Sequence, residues 1–312
     1  MRDERGLIEA FLAGGRLPLS MTGFILLLSG WFAIFQSVTG YFLPQDVNAL
    51  GFDARQLADM ASIRVVHFMF HDRVAFGGTL LAVGTAYWFL AEFPLRARES
   101  WAWWTFLVSG VCGFASFLTY LGYGYLDTWH GIATLFLLPL FAGGLWQARP
   151  AALHVQDLWE SRQPMSLGRW GLAFLAGGML VAGATIMAVG MTRVFVPQDL
   201  AFMRMTPSDL DRVSMRLVPV IAHDRAGFGG GLFSTGVILL LLTRHARLSR
   251  SFIQTVAIMG LMGFGAAIGV HPVIGYTDST HLAPAYFGAI VFAVTLLRLR
   301  REYKVELRTA QY

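Results

Sequence analysis

The tripeptide His-Asp-Arg occurs twice in this sequence, both times inside an apolar stretch. One copy begins at His71 and the other at His223. An imidazole can bind a metal ion or transfer a proton, and a neighbouring carboxylate can fix the tautomer of that imidazole. A guanidinium neutralises a carboxylate or binds an anion. The two tripeptides therefore indicate metal-binding or acid–base chemistry at two equivalent places.

A second pair of motifs adds further polar groups to each place. Residues 124–130 read GYLDTWH and residues 275–281 read GYTDSTH. A charged side chain in hydrocarbon costs roughly 2.5–3.5 kcal/mol, so we expect these groups to face the protein interior and one another. The candidate site residues are His71, Asp72, Arg73, Tyr125, Asp127 and His130 in the first half, and His223, Asp224, Arg225, Tyr276, Asp278 and His281 in the second.

The composition is that of a membrane protein. Of the 312 residues, 55% are hydrophobic and only 14% are charged. A membrane helix needs about 20 apolar residues, and the chain contains eight such runs. The lone cysteine, Cys112, excludes a disulfide and covalently attached haem. We predict an all-α polytopic membrane protein with spans at 17–42, 64–91, 101–122, 126–147, 169–193, 215–243, 251–273 and 278–297.

The basic residues predict the orientation of these spans. Most of them fall in alternate short loops and at both ends of the chain, which places both termini in the cytoplasm by the positive-inside rule. The net charge of +5 follows from this topology and gives no reason to invoke nucleic acid. A single lysine among 24 basic residues indicates a GC-rich bacterial genome, so we expect a bacterial inner-membrane location with the lipid bilayer as the main partner.

The chain is duplicated at an offset near 152 residues. Residues 71–84 and 223–236 share eight of fourteen positions, and FLPQDV at 42–47 corresponds to FVPQDL at 195–200. Each half has four predicted spans, and an even number gives two parallel repeats. We predict a first repeat at 1–148, a cytoplasmic linker at 149–168 and a second repeat at 169–312. The segments after each Pro-Gln-Asp should form short capped helices.

Small residues lie on the helix face beneath each histidine. Below His71 this face carries Ala75, Gly78 and Ala82, and below His223 it carries Gly227, Gly230 and Ser234. Such a strip either lets a neighbouring helix approach closely or leaves a slot for a planar cofactor under its histidine ligand. The sequence leaves both possibilities open.

These motifs and the duplicated four-span pattern resemble haem A synthase. That family has eight spans in two similar four-helix bundles, and paired histidines on the second and fourth helix of each bundle hold b-type haem. The resemblance implies His71 with His130, and His223 with His281, as axial haem ligands, and Arg73 and Arg225 as partners of the haem propionates. Here Asp72 and Asp224 stand between the histidine and the arginine. The implied function is an integral membrane redox protein that binds haem or reacts with quinone or a redox partner protein.

Other functions fit the same residues. The His-Asp-Arg clusters can line the path of a transporter or channel. Two histidines and two aspartates per half can instead hold a divalent metal in an enzyme that acts on a lipid-borne substrate. A fourth possibility is an accessory subunit without a cofactor, whose clusters are structural. His67 and His271 lack a histidine counterpart in the other half, and we expect His154 and His245 to be solvated surface residues. The sequence assigns no catalytic residue.

Overall fold

A computed structural model describes residues 6–7, 18–118, 128–150 and 162–309 of the protein. All regular structure in these ranges is helical. The first half contains α1 (Pro18–Thr39), α2 (Pro44–Leu50), α3 (Ala54–Met60), α4 (Ile63–Leu90, continued by a π-helical turn at Ala91–Leu95), α5 (Ser100–Leu118) and α6 (Thr128–Gln147). The second half contains α7 (Leu167–Met191), α8 (Pro197–Met203), α9 (Pro207–Val213), α10 (Leu217–His245), α11 (Arg250–Ile274) and α12 (Ser279–Thr309). The halves repeat one order of long and short helices.

The short helices confirm the prediction made from the Pro-Gln-Asp segments. Asp46 lies in the first turn of α2 and accepts a hydrogen bond from the backbone nitrogen of Leu43 at 3.2 Å. Asp199 does the same in α8, where it accepts from the nitrogen of Val196 at 2.8 Å. A carboxylate in the first turn satisfies a backbone donor that the helix leaves unpaired and also favours the helix dipole.

Within the described chain, six helices are long and apolar enough to cross a membrane. They are Pro18–Thr39, Ile63–Leu95, Leu167–Met191, Leu217–His245, Arg250–Ile274 and Ser279–Thr309. Helices α5 and α6 coincide with the third and fourth predicted spans but are not among the six. The multi-pass helical architecture is therefore clear, while a total of eight spans stays a prediction.

Helices α4 and α10 form the centre of the molecule. In their most apolar stretches 78% and 67% of the residues are buried, against 22% for α7 and for α12. Helix α4 packs against α1 of its own half, against α11 of the other half and against α10. Helix α10 correspondingly packs against α7, α5 and α4. The halves therefore interlock, because the central helix of each half packs against the third long helix of the other.

Close helix packing fills the strips of small residues beneath the two histidines. A methyl group added at Gly78 would collide with Ala266 and with the backbone of Met262 on α11. One added at Gly230 would collide with Ser116 on α5. Each strip is thus occupied by the third long helix of the opposite half. The packing interpretation of the small residues is correct, and no slot for a planar cofactor lies along these two glycine contacts.

Candidate functional site

The two arginines of the His-Asp-Arg motifs join the halves through crossed ion pairs. Arg73 donates from Nε to Asp224 of the other half at 2.8 Å and from Nη1 to Asp46 of its own half at 2.6 Å. Arg225 donates from Nε to Asp72 at 3.2 Å and from Nη1 to Asp199 at 2.6 Å. Each arginine thus binds the motif aspartate of the other half and the Pro-Gln-Asp aspartate of its own half. Each arginine, Arg225 buried and Arg73 with 12% of its side chain exposed, is thereby matched by two carboxylates, which offsets the cost of removing these charges from water.

Each aspartate of the motif also contacts the histidine before it. Asp72 lies 3.0 Å from Nδ1 of His71, and Asp224 lies 2.9 Å from Nδ1 of His223. An ionised carboxylate can only accept, so Nδ1 of each ring carries the hydrogen. The remaining nitrogen, Nε2, then presents a lone pair when the ring is neutral. This is the arrangement in which a carboxylate orients a metal-binding histidine.

Three histidines converge at one end of the bundle. The side chains of His71, His271 and His281 place one ring nitrogen each within 4.8 Å of the others. His71 lies eight residues into α4, or about 12 Å from its start. His271 is in the last turn of α11, and His281 is in the first turn of α12. The two helices meet through Gly275, whose φ of 75° allows the chain to reverse within a few residues.

This cluster brings together a different set of histidines from the pairs implied by the family resemblance. His281 lies beside His71, with ring centroids 5.8 Å apart, and the described three-histidine group does not include His223. The imidazoles thus gather across the halves because α4 packs against α11 of the opposite half. The backbone of His130 lies in α6, but its side chain is outside the described residues, as are Tyr125 and Asp127.

Two rings of the cluster face each other through their Nε2 atoms. Nε2 of His71 and Nε2 of His271 are 3.1 Å apart. Asp72 fixes the hydrogen of His71 on Nδ1, so its Nε2 brings a lone pair to this contact. Nδ1 of His271 is buried and has no hydrogen-bond partner among the described residues. The contact is therefore a hydrogen bond from Nε2–H of His271 to Nε2 of His71, and a cation that displaced this hydrogen would be bound by both nitrogens.

Aromatic rings enclose the cluster. The ring of Tyr276 stacks on the ring of His281, with centroids 4.5 Å apart. The ring of Phe202 also stacks on Tyr276, again with centroids 4.5 Å apart. The hydroxyl of Tyr276 donates to Asp199 at 2.9 Å. Burial, together with the charge of Asp199, raises the pKa of the Tyr276 phenol above its usual range. The tyrosine is therefore a neutral hydrogen-bond donor, and its ring excludes water from one side of the cluster.

Asp278 has a different role from the one we expected. It is exposed at the start of α12, where it accepts hydrogen bonds from the backbone nitrogen of His281 at 2.8 Å and from the hydroxyl of Thr280 at 2.6 Å. These hydrogen bonds, that to Thr280 first, lower the pKa of the Asp278 carboxyl. Asp278 thus caps the helix that carries His281 and is not part of the buried polar network.

Three functional residues were missed or undervalued in the sequence. His271 was treated as a local extra because its counterpart in the first half is Tyr120. Asp46 and Asp199 were noted only as members of the repeated Pro-Gln-Asp segments, although that repetition was a usable signal. His245 was expected to be solvated, which is wrong, because it is 2% exposed and stacks on Trp101 at 5.5 Å. Pairing between distant helices cannot be deduced from spacing within one helix.

The histidines that face His71 do not fit a haem. Two axial imidazoles bind haem iron from opposite faces of the porphyrin, so the macrocycle must pass between them. Nε2 of His71 and Nε2 of His271 are in direct contact at 3.1 Å, and α11 fills the strip beneath His71. Two nitrogens bound to one tetrahedral ion at 2.0–2.1 Å are separated by about 3.3 Å, which is close to the observed contact. The cluster fits a single ion better than a haem.

Comparison with known proteins gives no further constraint. No family model, curated protein or solved structure matches this chain. The function must therefore be argued from the geometry of the site.

Proposed function

We propose that this protein is a metal-dependent membrane enzyme with one transition-metal ion bound by His71, His271 and His281. The observation that carries the proposal is the convergence of three ring nitrogens within 4.8 Å, in a part of the chain where two of the rings are almost fully buried. Imidazole nitrogen is a ligand that suits zinc, copper, iron and nickel. The haem-binding function expected from the family resemblance is a weaker candidate, because the facing nitrogens are too close for a macrocycle.

The number of ligands favours catalysis over a purely structural metal. Structural zinc sites close the ion with four protein ligands, whereas catalytic sites use three and keep one position open. Among the described residues the cluster supplies three histidines and no fourth ligand of the histidine, cysteine or carboxylate type. An ion with an open position polarises a carbonyl or phosphoryl oxygen that reaches it. The three histidines hold the ion, and Asp72 orients His71 for this purpose.

The surroundings of the site favour a membrane-borne substrate. His281 is the least buried of the three ligands, and it belongs to α12, which exposes large apolar side chains along its length. Neighbouring Val273 on α11 is 82% exposed. In a membrane these surfaces contact lipid rather than water. A substrate that diffuses in the bilayer can therefore approach the cluster from the side of α11 and α12.

Metal analysis tests the proposal directly. The full chain is purified in lipid nanodiscs, loaded with Zn²⁺, Cu²⁺, Co²⁺ or Ni²⁺, washed, and analysed by elemental mass spectrometry. We expect about one tightly held ion per cluster in the wild type and its loss in His71→Ala, His271→Ala and His281→Ala. His67→Ala is the matched control, because His67 is on the same helix one turn from His71 and is outside the cluster.

Two results would refute the proposal. One is a wild-type protein that retains none of the four metals. The other is a Soret band in the purified protein that disappears in His71→Ala, because it would assign the cluster to haem. Release of labelled headgroup from phospholipid vesicles, compared between the metal-loaded wild type and His271→Ala, then tests the enzymatic part of the proposal.

A further inference from the structure

A single guanidinium of the second half touches both carboxylates that lead to the three-histidine cluster. Arg225 lies on α10 and is 6% exposed. Besides Asp72 and Asp199, it donates to the backbone oxygen of Val194 at 2.8 Å, and its guanidinium lies 5.0 Å from the ring centroid of Phe68. These contacts come from several directions. The guanidinium plane is therefore fixed in position, and its partners are fixed with it.

The first branch leads from Arg225 to His71. Nε of Arg225 donates to Oδ2 of Asp72, and Oδ1 of the same carboxylate lies 3.0 Å from Nδ1 of His71. Phe68 stacks on the His71 ring at 5.9 Å and also lies under the guanidinium. The orientation of the His71 ring thus depends on a carboxylate that Arg225 holds in place.

The second branch leads from Arg225 to His281. Nη1 of Arg225 donates to Oδ2 of Asp199, and Oδ1 of that carboxylate accepts from the hydroxyl of Tyr276. The Tyr276 ring then stacks on His281 with an interplanar angle of 24°. Asp199 is fully buried, so its position is set by these partners and by the cap of α8.

We propose that Arg225 is the positioning residue of the metal centre, holding His71 through Asp72 and His281 through Asp199 and Tyr276. This inference rests on the proposed function, since it concerns the affinity and geometry of the same metal site. It makes the site dependent on both halves, because Arg225 on α10 orients a ligand on α4. Carboxylates behind metal-binding histidines contribute to affinity by fixing the ring. Arg225 holds one such carboxylate, Asp72, and through Asp199 it holds the tyrosine ring that stacks on His281.

The duplication supplies a matched control for this proposal. Arg73 also binds two carboxylates, Asp46 and Asp224, at the same distances to within about half an ångström. Asp224 orients His223, which is not a member of the three-histidine cluster. Removal of either guanidinium therefore breaks two ion pairs, one of them between the halves. Among the contacts of the described residues, those of Arg225 and not those of Arg73 connect to the proposed metal ligands.

The experiment compares Arg225→Gln with Arg73→Gln in the full chain. The affinity for Zn²⁺ is measured by competition with a chelator, and the absorption spectrum of the Co²⁺-loaded protein reports the ligand geometry. We expect Arg225→Gln to weaken Zn²⁺ binding 10–100-fold relative to Arg73→Gln and to change the Co²⁺ spectrum at saturation. Arg225→Lys keeps the charge without the planar fork and should recover part of the affinity.

A milder pair of variants keeps the proposal testable if Arg225→Gln does not fold. Tyr276→Phe removes only the hydroxyl that joins the ring to Asp199. Tyr87→Phe is its control, because Tyr87 is equally buried and its hydroxyl contacts Ser109 instead. We expect about a tenfold loss of Zn²⁺ affinity in Tyr276→Phe, at the lower end of the range for such partners, and none in Tyr87→Phe.

The outcomes separate this inference from the proposed function. Equal Zn²⁺ affinity and equal Co²⁺ spectra in the two arginine variants, or in the two tyrosine variants if Arg225→Gln does not fold, would overturn the positioning role while leaving the metal site intact. Failure of the wild type to bind Zn²⁺ or Co²⁺ would instead remove the proposed function and this inference with it.

Discussion

The surroundings of His71 and of His223 share one charge network but differ in the imidazoles that the structure describes beside each histidine. In both, the aspartate of the motif contacts its own histidine and the arginine of the other half. Only His71 is described with two further imidazoles beside it. The sequence has Tyr120 at the position that corresponds to His271. Both halves build the charge network, whereas the three-histidine cluster includes His271, which has no histidine counterpart in the first half.

The physical demands on these two features are different. A buried arginine without a carboxylate is strongly destabilising, so both crossed ion pairs stabilise the fold. The third imidazole, on α11, takes no part in these ion pairs. The network therefore follows from the duplication, while the three-histidine cluster depends on a residue at which the two halves differ.

Giving position 271 the residue found at the corresponding position of the first half should have the largest effect on metal affinity. His271→Tyr gives the second half the residue type of the first and removes one of three ligands. We expect the tightly held metal to be lost, with a fall in Zn²⁺ affinity of more than about 100-fold, because two imidazoles no longer define a site with three ligands. Elemental analysis and chelator competition measure this change. Retention of the metal at wild-type affinity would show that His271 is not a ligand.

Breaking an ion pair of the charge network should lower the stability of the protein by a similar amount in either half. Asp46→Asn and Asp199→Asn each remove one carboxylate from a buried arginine that binds two. We expect each variant to lower the free energy of unfolding by about 3–5 kcal/mol, the usual cost of breaking a buried ion pair. Thermal unfolding in detergent, followed by circular dichroism, compares the two. A large loss in only one variant would show that the network is not equivalent in the two halves.

Replacing the aspartate next to each histidine should have a smaller effect on Zn²⁺ affinity, and the effect should differ between the two halves. Asp72→Asn and Asp224→Asn remove the same contacts, one beside His71 and the other beside His223. We expect Asp72→Asn to weaken Zn²⁺ binding 10–100-fold, since the His71 tautomer is no longer fixed, and Asp224→Asn to leave it within about threefold of wild type. Isothermal titration of the nanodisc-embedded proteins measures both affinities. Equal losses would contradict the assignment of the site to the His71 side.

Much of the fold could be read from local patterns. Where the structure describes their ends, the apolar runs predicted the long helices to within a few residues, except that α12 continues beyond the predicted end at 297 to Thr309. The Pro-Gln-Asp repeats predicted the short capped helices α2 and α8. These features depend on hydrogen bonds and burial within a few turns of one helix. The duplication likewise required only the comparison of 71–84 with 223–236.

The candidate site was predicted only in part. His71 and His281 were named as ligands, but with partners from their own halves, and His271 was treated as a local extra. The resemblance to an architecture of two separate bundles led to pairing within each half. Helix periodicity gives the face on which a residue lies, but it does not say which distant helix will cover that face.

The sequence by itself determined that this is a duplicated, all-helical membrane protein with polar groups buried at matching positions. Those properties follow from composition, from repeat spacing and from the cost of exposing charge to lipid, all of which are local or additive. Only the tertiary structure decided that α4 packs on α11 of the opposite half. That contact brings His271 and His281 to His71. The sequence could not decide it, because helix packing requires the ridges and small residues of two particular helices to fit one another, and one sequence pattern is compatible with several partners.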